Sequence, residues 1–287
     1  MSEPSAPART RPEEPALIAD STLALLAAAG ESGGFHAPTI GEFFPAALLF
    51  EGTPFEFNRI MLVRVIATVV LIAFLAIVAS RLRLVPGRVQ SATEMVLGFI
   101  RTGIAEDVIG KDKARGYVPM LTVIFLATLA LNITGIIPLL NIAGTSVIGV
   151  PLLMALVAYV AFLYAGIKAH GAGRYFSMSL FPAGVPKPIY ILLTPIEFIS
   201  TFILRPFTLT VRLLANMVAG HLMLVLFFAA TQYFFVEANG ALKAMGVITL
   251  GAGLAFTLFE ILIAVLQAYI FTLLTAVYIS LSLESEH

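Results

Sequence analysis

Long apolar segments are the feature that most constrains the fold of this chain. The hydrocarbon core of a bilayer is about 30 Å thick, so an α-helix needs about 20 mainly apolar residues to cross it. Helices and closed barrels are the structures that satisfy every backbone polar group at that depth. The sequence has five apolar segments of this length or longer, at 60–80, 117–138, 146–168, 189–235 and 244–283. They predict an all-α membrane protein with five membrane helices.

The last two apolar segments are too long for a simple crossing. As continuous helices they would be roughly 70 and 60 Å long at a rise of 1.5 Å per residue. We therefore expect each of them either to break or to lie strongly tilted in the membrane. Pro195 and Pro206 suit bends near the beginning of the first segment. The short connection around 237–240 predicts that the two segments form an antiparallel hairpin.

Residues 89–110 form a different kind of segment. Met95, Phe99 and Ile104 are among apolar side chains that recur at helical spacing, while charged side chains interrupt the pattern. A helix with one apolar face and one charged face lies in the membrane interface rather than across the membrane. The sequence therefore predicts one amphipathic surface helix between the first two spans.

Basic residues predict the orientation of the chain. They cluster after the first span, at 111–115, and after the third span, which are loops on the same side of the membrane. Loops rich in Lys and Arg stay in the cytoplasm, so we expect the N-terminus outside and the C-terminus inside. Residues 1–38, rich in Pro, Ala, Gly and Ser, predict a flexible outside segment, and residues 39–287 a single membrane domain. Acidic residues in that outside segment argue against a transit peptide, which favours a bacterial plasma membrane over a mitochondrial inner or thylakoid membrane.

Composition excludes several classes of function. The chain is 59% hydrophobic and 12% charged, whereas about 25% of residues are charged in a soluble domain. Its formal net charge of zero argues against nucleic-acid binding. The absence of cysteine excludes disulfides and thiolate-held metals. The 4 histidines, His36, His170, His221 and His287, lack the spacing of a metal site. We therefore predict neither a metal nor a cofactor.

Arg212 is the ionisable residue that most needs an explanation. It lies near the middle of 189–235, and no acidic residue occurs within ten positions on either side. A central membrane arginine costs about 3 kcal/mol on insertion scales, and such residues are functional by default. Ala215 and Ala219, on the same helix face, permit another helix to approach closely. That helix is either the chain's own last helix or a partner whose carboxylate neutralises Arg212.

Helical geometry divides the other polar residues of the hairpin into two sets. At 100° per residue, one arc of about 100° contains five of them and forms a stripe leading to the inner side. These five residues are Glu197, Thr201, Thr208, Arg212 and Asn216. His221 lies about 180° from Arg212, and Glu260 and Gln267 share one face of the last helix. His221, Glu260 and Gln267 therefore form a second set, which does not belong to the stripe that contains Arg212.

Three motifs carry a resemblance to a known family. They are RPFTLTVRLLANMVAGH at 205–221, FEILIAVLQAYIFTLLTAVYISLSL at 259–283 and NITGIIP at 132–138. In this order they resemble subunit a of the F-type ATP synthases, over a region from about residue 35 to the C-terminus. The family pattern RLxxNMxAGH is the most specific of the three.

The resemblance implies roles for individual residues. Arg212 matches the essential arginine that faces the carboxylates of the c-ring, and Asn216 matches the asparagine beside it. His221 and Glu260 match a titratable pair in the outer half-channel, with acid and imidazole in the reverse order of some bacterial members. Gln267 matches the glutamine of the last helix.

Glu197 resembles the acid of the inner half-channel, which Thr201 and Thr208 would continue. It lies fifteen residues before Arg212 (212 minus 197), whereas the family pattern leads us to expect about fourteen.

The function implied is that of a proton-translocating stator subunit with two offset half-channels. Such a subunit couples proton flow to rotation of the c-ring and to ATP synthesis, and it carries out no catalytic chemistry itself. The implied partners are the c-ring, the peripheral-stalk b subunits and the remaining ATP synthase subunits, all within the lipid bilayer. A stand-alone proton-coupled secondary transporter is the alternative. Transporters of that kind often contain internal repeats, and we see none here. A purely structural scaffold would not retain Arg212.

Overall fold

The computed structural model describes most of the chain. The described residues are 47–49, 57–137, 140, 142–181 and 186–284. The predicted flexible segment 1–38 lies outside them. The chain divides into two compact units, and the smaller unit contains residues 225–252. The larger unit contains the remainder of the described residues.

Helices account for nearly all of the described residues. In chain order they are α1 Arg59–Ser80, α2 Arg88–Gly98, α3 Asp107–Ile109, α4 Lys111–Ala114, α5 Val118–Ile133, α6 Gly149–His170, α7 Ala172–Leu180, α8 Tyr190–Phe198, α9 Arg205–Val236 and α10 Lys243–Leu283. Two π-helical segments, in which the hydrogen bonds span five residues, are π1 Phe99–Glu106 and π2 Ile199–Leu204. Short 3₁₀ turns occur at Lys187–Ile189 and Gly240–Leu242. A small antiparallel pair of strands, β1 Ala47–Leu49 and β2 Phe57–Asn58, precedes α1 and was not predicted.

The predicted class of all-α membrane protein is confirmed. Among the described residues, four helices are long and apolar enough to cross a membrane: α1, α6, the continuous run Tyr190–Val236, and α10. The remaining predicted span, 117–138, is helical only over the 16 residues of α5. That length corresponds to about 24 Å, which is shorter than the hydrocarbon core.

A hydrogen-bonded loop explains where α5 ends. Asn132 accepts a hydrogen bond through Oδ1 from Thr145 Oγ1 at 2.7 Å. Thr134 Oγ1 donates to Leu131 O at 2.7 Å and accepts from the backbone N–H of Gly144 at 3.1 Å. These bonds turn the chain back on itself after the helix. The described part of the motif, residues 132–137, therefore builds this turn, in which Thr134 satisfies backbone groups and Asn132 pairs with the side chain of Thr145.

Arg64 belongs to the same turn, and sequence reasoning did not single it out. It lies on α1, and its Nε donates to Gly144 O at 2.8 Å. A second donor of the guanidinium reaches Val147 O at 3.4 Å. Because backbone carbonyls satisfy this arginine, it fixes α1 to the turn after α5. Not every arginine within an apolar helix of this chain therefore needs a partner subunit.

The predicted amphipathic helix is interrupted and partly covered by other helices. Residues 88–109 form α2, π1 and α3 in succession. Ile100 and Ile104, in π1, are completely buried in a cluster that also contains Phe125 of α5 and Ala268 of α10. Met95, in α2, is 74% exposed. The apolar face of π1 therefore packs against membrane helices, whereas α2 keeps exposed apolar side chains.

The smaller unit contains the connection between α9 and α10. Thr231 Oγ1 donates to Thr249 Oγ1 at 3.0 Å, which links the end of one helix to the beginning of the next. Gly246 lies beneath the ring of Phe235, where a Cβ atom would come within 2.9 Å of ring carbons. Gly240 adopts a φ of +63° in the turn, a conformation that favours glycine. The predicted short connection around 237–240 thus forms a tight turn.

Candidate functional site

One face of α9 is buried and the opposite face is uncovered. Leu209, Leu213 and Met217 are at most 2% exposed and pack towards the other helices of their unit. Arg212 and Ala215 lie on the exposed side of the same helix. The face that carries the arginine is therefore available to a neighbouring molecule.

Arg212 makes no ion pair or hydrogen bond with any other residue that the structure describes. Its small neighbours Ala215 and Ala219 are also exposed. The interpretation that this face packs against the chain's own last helix is therefore wrong for these three residues. Arg64 donates hydrogen bonds to backbone carbonyls, whereas Arg212 is exposed and has no such acceptor among the described residues.

Asn216 connects the exposed face to the last helix. Its Nδ2 donates to Gln267 Oε1 at 2.8 Å, so that α9 and α10 are hydrogen-bonded at this level. Gln267 is buried, whereas Asn216 is exposed. The sequence analysis placed these two residues in different sets, and the structure joins them.

His221 and Glu260 lie on the buried side of the two helices. Each is 5% exposed. The carboxyl group of Glu260 lies directly against Gly220, so that a Cβ atom at this glycine would overlap both carboxyl oxygens. Glu260 is therefore next to the residue that precedes His221. Gly220 was missed as a site residue, because only the packing of two helices shows that its missing side chain makes room for a carboxyl group.

Gly220→Ala should disturb Glu260 more than it disturbs the fold. The added methyl group forces the carboxyl group to move, and we expect the infrared absorption band of the Glu260 carboxyl group to shift while the helix content stays unchanged. Difference spectra against a Glu260→Gln variant identify this band in the purified protein. Gly98→Ala is the matched control, since a Cβ atom at Gly98 meets open space. A Glu260 band at the same position in both variants would contradict the assigned contact.

Glu197 and Thr201 line a cavity of about 280 Å³. The other walls of this cavity come from α6, α7 and the end of α10. Thr201 is 5% exposed. Thr208 lies outside this cavity: it is exposed, and its Oγ1 donates to Arg205 O at 3.1 Å. The structure therefore brings together two of the three residues predicted for the inner half-channel.

The segment π2 changes the angular relation between Glu197 and Arg212. A π-helical turn accommodates one extra residue within an α-helix. Each residue rotates an α-helix by about 100°, so Glu197 is displaced by about that angle from its position in an uninterrupted helix. With this displacement the five polar residues still fall within one arc of about 120° or less, so the stripe stays a prediction. The extra residue also accounts for the spacing of fifteen, which is equivalent to about fourteen residues of α-helix.

Arg205 is held at the wall of the same cavity by two aromatic rings. Its guanidinium lies 5.1 Å from the ring centroid of Tyr278 and 5.9 Å from that of Phe162. Contacts of this kind stabilise a cation by about 0.5–2 kcal/mol. They fix a positive charge between α6, α9 and α10, on the cavity that contains Glu197.

Metal chemistry has no support in the described residues. Within them, no group of three or more His, Asp or Glu side chains is placed to hold an ion. The arrangement instead provides isolated titratable groups, polar amides and fixed positive charges along a helical hairpin. Such groups transfer or repel protons and ions.

The fold and these residues define a polytopic α-helical membrane protein with ionisable groups inside its last two helices. Comparisons with known proteins give the family. The family model described as ATP synthase A chain matches residues 61–280, and the chain belongs to this family.

Similar proteins extend over nearly the full chain. The ATP synthase subunit a of Rhodococcus erythropolis is 48% identical over 269 residues, which cover 94% of this chain and 97% of that protein. The subunit a of Pseudarthrobacter chlorophenolicus is 39% identical and covers 92% of this chain and 99% of its own length. The subunit a of Streptomyces lividans is 33% identical over 88% of this chain and 90% of its own length. The chain is therefore a membrane protein of the ATP synthase, with a role in ion transport and ATP synthesis.

Proposed function

We propose that this chain conducts protons through two offset half-channels and couples their flow to rotation of a c-ring. The observation that carries the proposal is the exposed face of α9, where Arg212 has no partner among the described residues and lies beside the small side chains of Ala215 and Ala219. A neighbouring helix that approaches this face and presents a carboxylate would supply the missing charge. The chain itself is a non-catalytic subunit in this proposal.

The outer half-channel is formed by His221, Glu260 and Gln267. Their burial on the side of the hairpin away from Arg212 supports a route that is separate from the exposed face. A histidine and a carboxyl group are both suited to passing protons. Asn216 and Gln267 lie where this route meets the exposed face, because they are hydrogen-bonded to each other.

The inner half-channel is the cavity that contains Glu197 and Thr201. Its volume of about 280 Å³ is sufficient for several water molecules. Thr208 lies between this cavity and Arg212 along the chain, and it remains part of the proposed route on its exposed side. Protons that leave the rotor near Arg212 would pass to Glu197 and then to the inner aqueous phase.

Arg212 separates the two half-channels by its charge. An arginine keeps its proton under all physiological conditions, so it does not pass protons from one route to the other. Its positive charge favours the ionised form of a carboxylate opposite to it. A rotor carboxylate would therefore lose its proton when it reaches Arg212. Each proton that crosses 100 mV releases about 2.3 kcal/mol, which drives the rotation.

The orientation and the partners follow from the same proposal. The basic loops predict an outside N-terminus and a cytoplasmic C-terminus in a bacterial plasma membrane. The cavity with Glu197 then opens on the cytoplasmic side. The c-ring covers the exposed face of α9, and the b subunits and the other ATP synthase subunits complete the complex.

Cysteine cross-linking tests the proposed rotor face directly, since the chain contains no native cysteine. A cysteine introduced by Ala215→Cys should form a disulfide with a cysteine placed beside the carboxylate of the c subunit, when the purified complex is treated with a mild oxidant. Leu213→Cys is the matched control, because Leu213 is fully buried. We expect a cross-linked product only with the first variant.

Two results would overturn the proposal. One is the cross-link at position 213 and not at position 215, which would place the rotor elsewhere. The other is proton transport driven by a solute gradient in vesicles that contain this chain alone, which would identify a stand-alone secondary transporter.

A further inference from the structure

His170 lies in the inner cavity, and neither the sequence analysis nor the proposed route gives it a role. It is the last residue of α6, and the chain then turns at Gly171, whose φ is +81°. The cavity contains His170 together with Glu197, Arg205 and Glu284. These four ionisable side chains come from three separate stretches of the sequence, since Glu197 and Arg205 both lie on the run Tyr190–Val236. The structure thus adds an imidazole to the acid that was predicted for the inner route.

The imidazole of His170 has an unsatisfied buried nitrogen. Its Nε2 is inaccessible to solvent, and no described residue forms a hydrogen bond with it. Buried polar atoms nearly always have a hydrogen-bond partner, which is either protein or water. His170 lines a cavity of about 280 Å³, so a small rotation of the ring would bring this nitrogen within reach of water in the cavity.

Packing around Tyr175 fixes the end of α6, and therefore the position of His170 beside the cavity. A Cβ atom at Gly166 would overlap the ring of Tyr175, so that this tyrosine packs directly on α6 one turn before His170. The Tyr175 hydroxyl lies 3.3 Å from Ser282 Oγ, which connects α7 to the end of α10. Tyr175 and Ser282 are 4% and 5% exposed. The imidazole is therefore attached to a packed framework rather than to a free loop.

We propose that His170 transfers protons between Glu197 and the inner aqueous phase. The inference rests on the proposed function and assigns a further residue to its inner route. A neutral imidazole accepts a proton at one ring nitrogen and releases one from the other, and histidine changes charge near physiological pH. During ATP-driven pumping, His170 collects protons from the inner side and passes them to Glu197 through water. During ATP synthesis, the same groups carry protons in the opposite direction, from the rotor to the inner aqueous phase.

The charged groups around His170 support transfer rather than storage of a proton. Glu197 and Glu284 provide two carboxylates in the lining of the cavity, and Arg205 provides a positive charge fixed by Phe162 and Tyr278. Glu284 is exposed, so it marks the end of the cavity that reaches solvent. The proposed order of transfer is thus solvent, Glu284, His170 and Glu197.

Proton pumping by the complete ATP synthase in proteoliposomes tests this role. His170→Gln keeps a hydrogen-bonding side chain but cannot change its charge, and His170→Ala leaves space for added imidazole. We expect both variants to pump at the wild-type rate at about pH 6 on the inner side, where protons are abundant. At about pH 8 we expect a rate about tenfold lower, because the collecting group is missing. Imidazole added on that side should restore the rate of His170→Ala but not that of His170→Gln.

The controls separate this inference from the proposed function and from misfolding. Lys168→Gln removes a charge from the same helix end and should leave the pH profile unchanged. If Arg212→Ala pumps normally, the proposed function fails, whatever His170 does. If Arg212→Ala is inactive but both His170 variants follow the wild-type profile without an effect of imidazole, only the role of His170 is wrong. If His170→Ala fails to assemble, the profile of His170→Gln alone decides: wild-type rates at about pH 8 overturn the inference.

Discussion

Arg212→Ala is expected to abolish ATP-driven proton pumping by the assembled complex, with a decrease of about a hundredfold or more. In the proposed mechanism, the change removes the fixed positive charge that causes the rotor carboxylate to lose its proton and that separates the two half-channels. We also expect a passive proton leak, because nothing then prevents a rotor group from carrying protons directly between the routes. Fluorescence quenching of a pH-sensitive dye in proteoliposomes measures both quantities, with ATP for pumping and with an imposed potential for the leak.

The control for this change is Arg115→Ala, which removes an exposed arginine outside the long helices. It should leave pumping and leak at wild-type values. Because Arg212 is exposed and makes no contact that holds the fold together, the Arg212→Ala complex should assemble in normal amounts. Normal proton pumping by an assembled Arg212→Ala complex would contradict the proposed mechanism.

An exchange of the outer pair is the second change for which we expect a large effect. His221→Glu places two acids close together, and Glu260→His places two imidazoles there. We expect each single change to reduce pumping by about tenfold or more, since like charges in a buried site disfavour ionisation of both groups. The double variant restores one acid and one imidazole and should recover most of the activity. Initial pumping rates at neutral pH measure the three variants side by side.

The double variant also has a structural requirement. Glu260 packs against Gly220, so the larger imidazole at this position must fit beside the same glycine. A recovery is therefore informative even if it is incomplete. If the double variant is no better than the worse single variant, His221 and Glu260 do not act as a pair, and the outer route must use other residues.

The sequence predicted the membrane helices well because each one depends on a long local pattern. The bounds of α1, α6 and α10 lie within about three residues of the predicted segments, which is a usual uncertainty for helix ends. The segment 117–138 was predicted too long, because Ile136 and Ile137 of the turn after α5 continue the apolar composition of the helix. Composition alone does not distinguish a buried turn of this kind from another turn of helix.

The roles of the candidate site residues stay predictions, and part of their geometry was not predictable from the sequence. The depth of Arg212 in its segment and its lack of an acidic neighbour left two alternatives open, of which the structure shows the exposed position. The contact between Gly220 and Glu260 was not predictable, since it depends on how two helices distant in sequence pack together. The angle between Glu197 and Arg212 was predicted with uniform α-geometry, and π2, which lies between them, changes that angle by about 100°.

The segment π2 also has a consequence for how sequences of this kind can change. In a uniform α-helix, the gain or loss of one residue rotates everything beyond it and would separate an acid from the route it serves. A helix that widens locally absorbs that residue and leaves the direction of both ends intact. We therefore expect the gain or loss of one residue at π2 to change the direction of Glu197 relative to Arg212 less than a change elsewhere between them. The two halves of the proposed proton route could then differ in length at π2 while each keeps its own alignment.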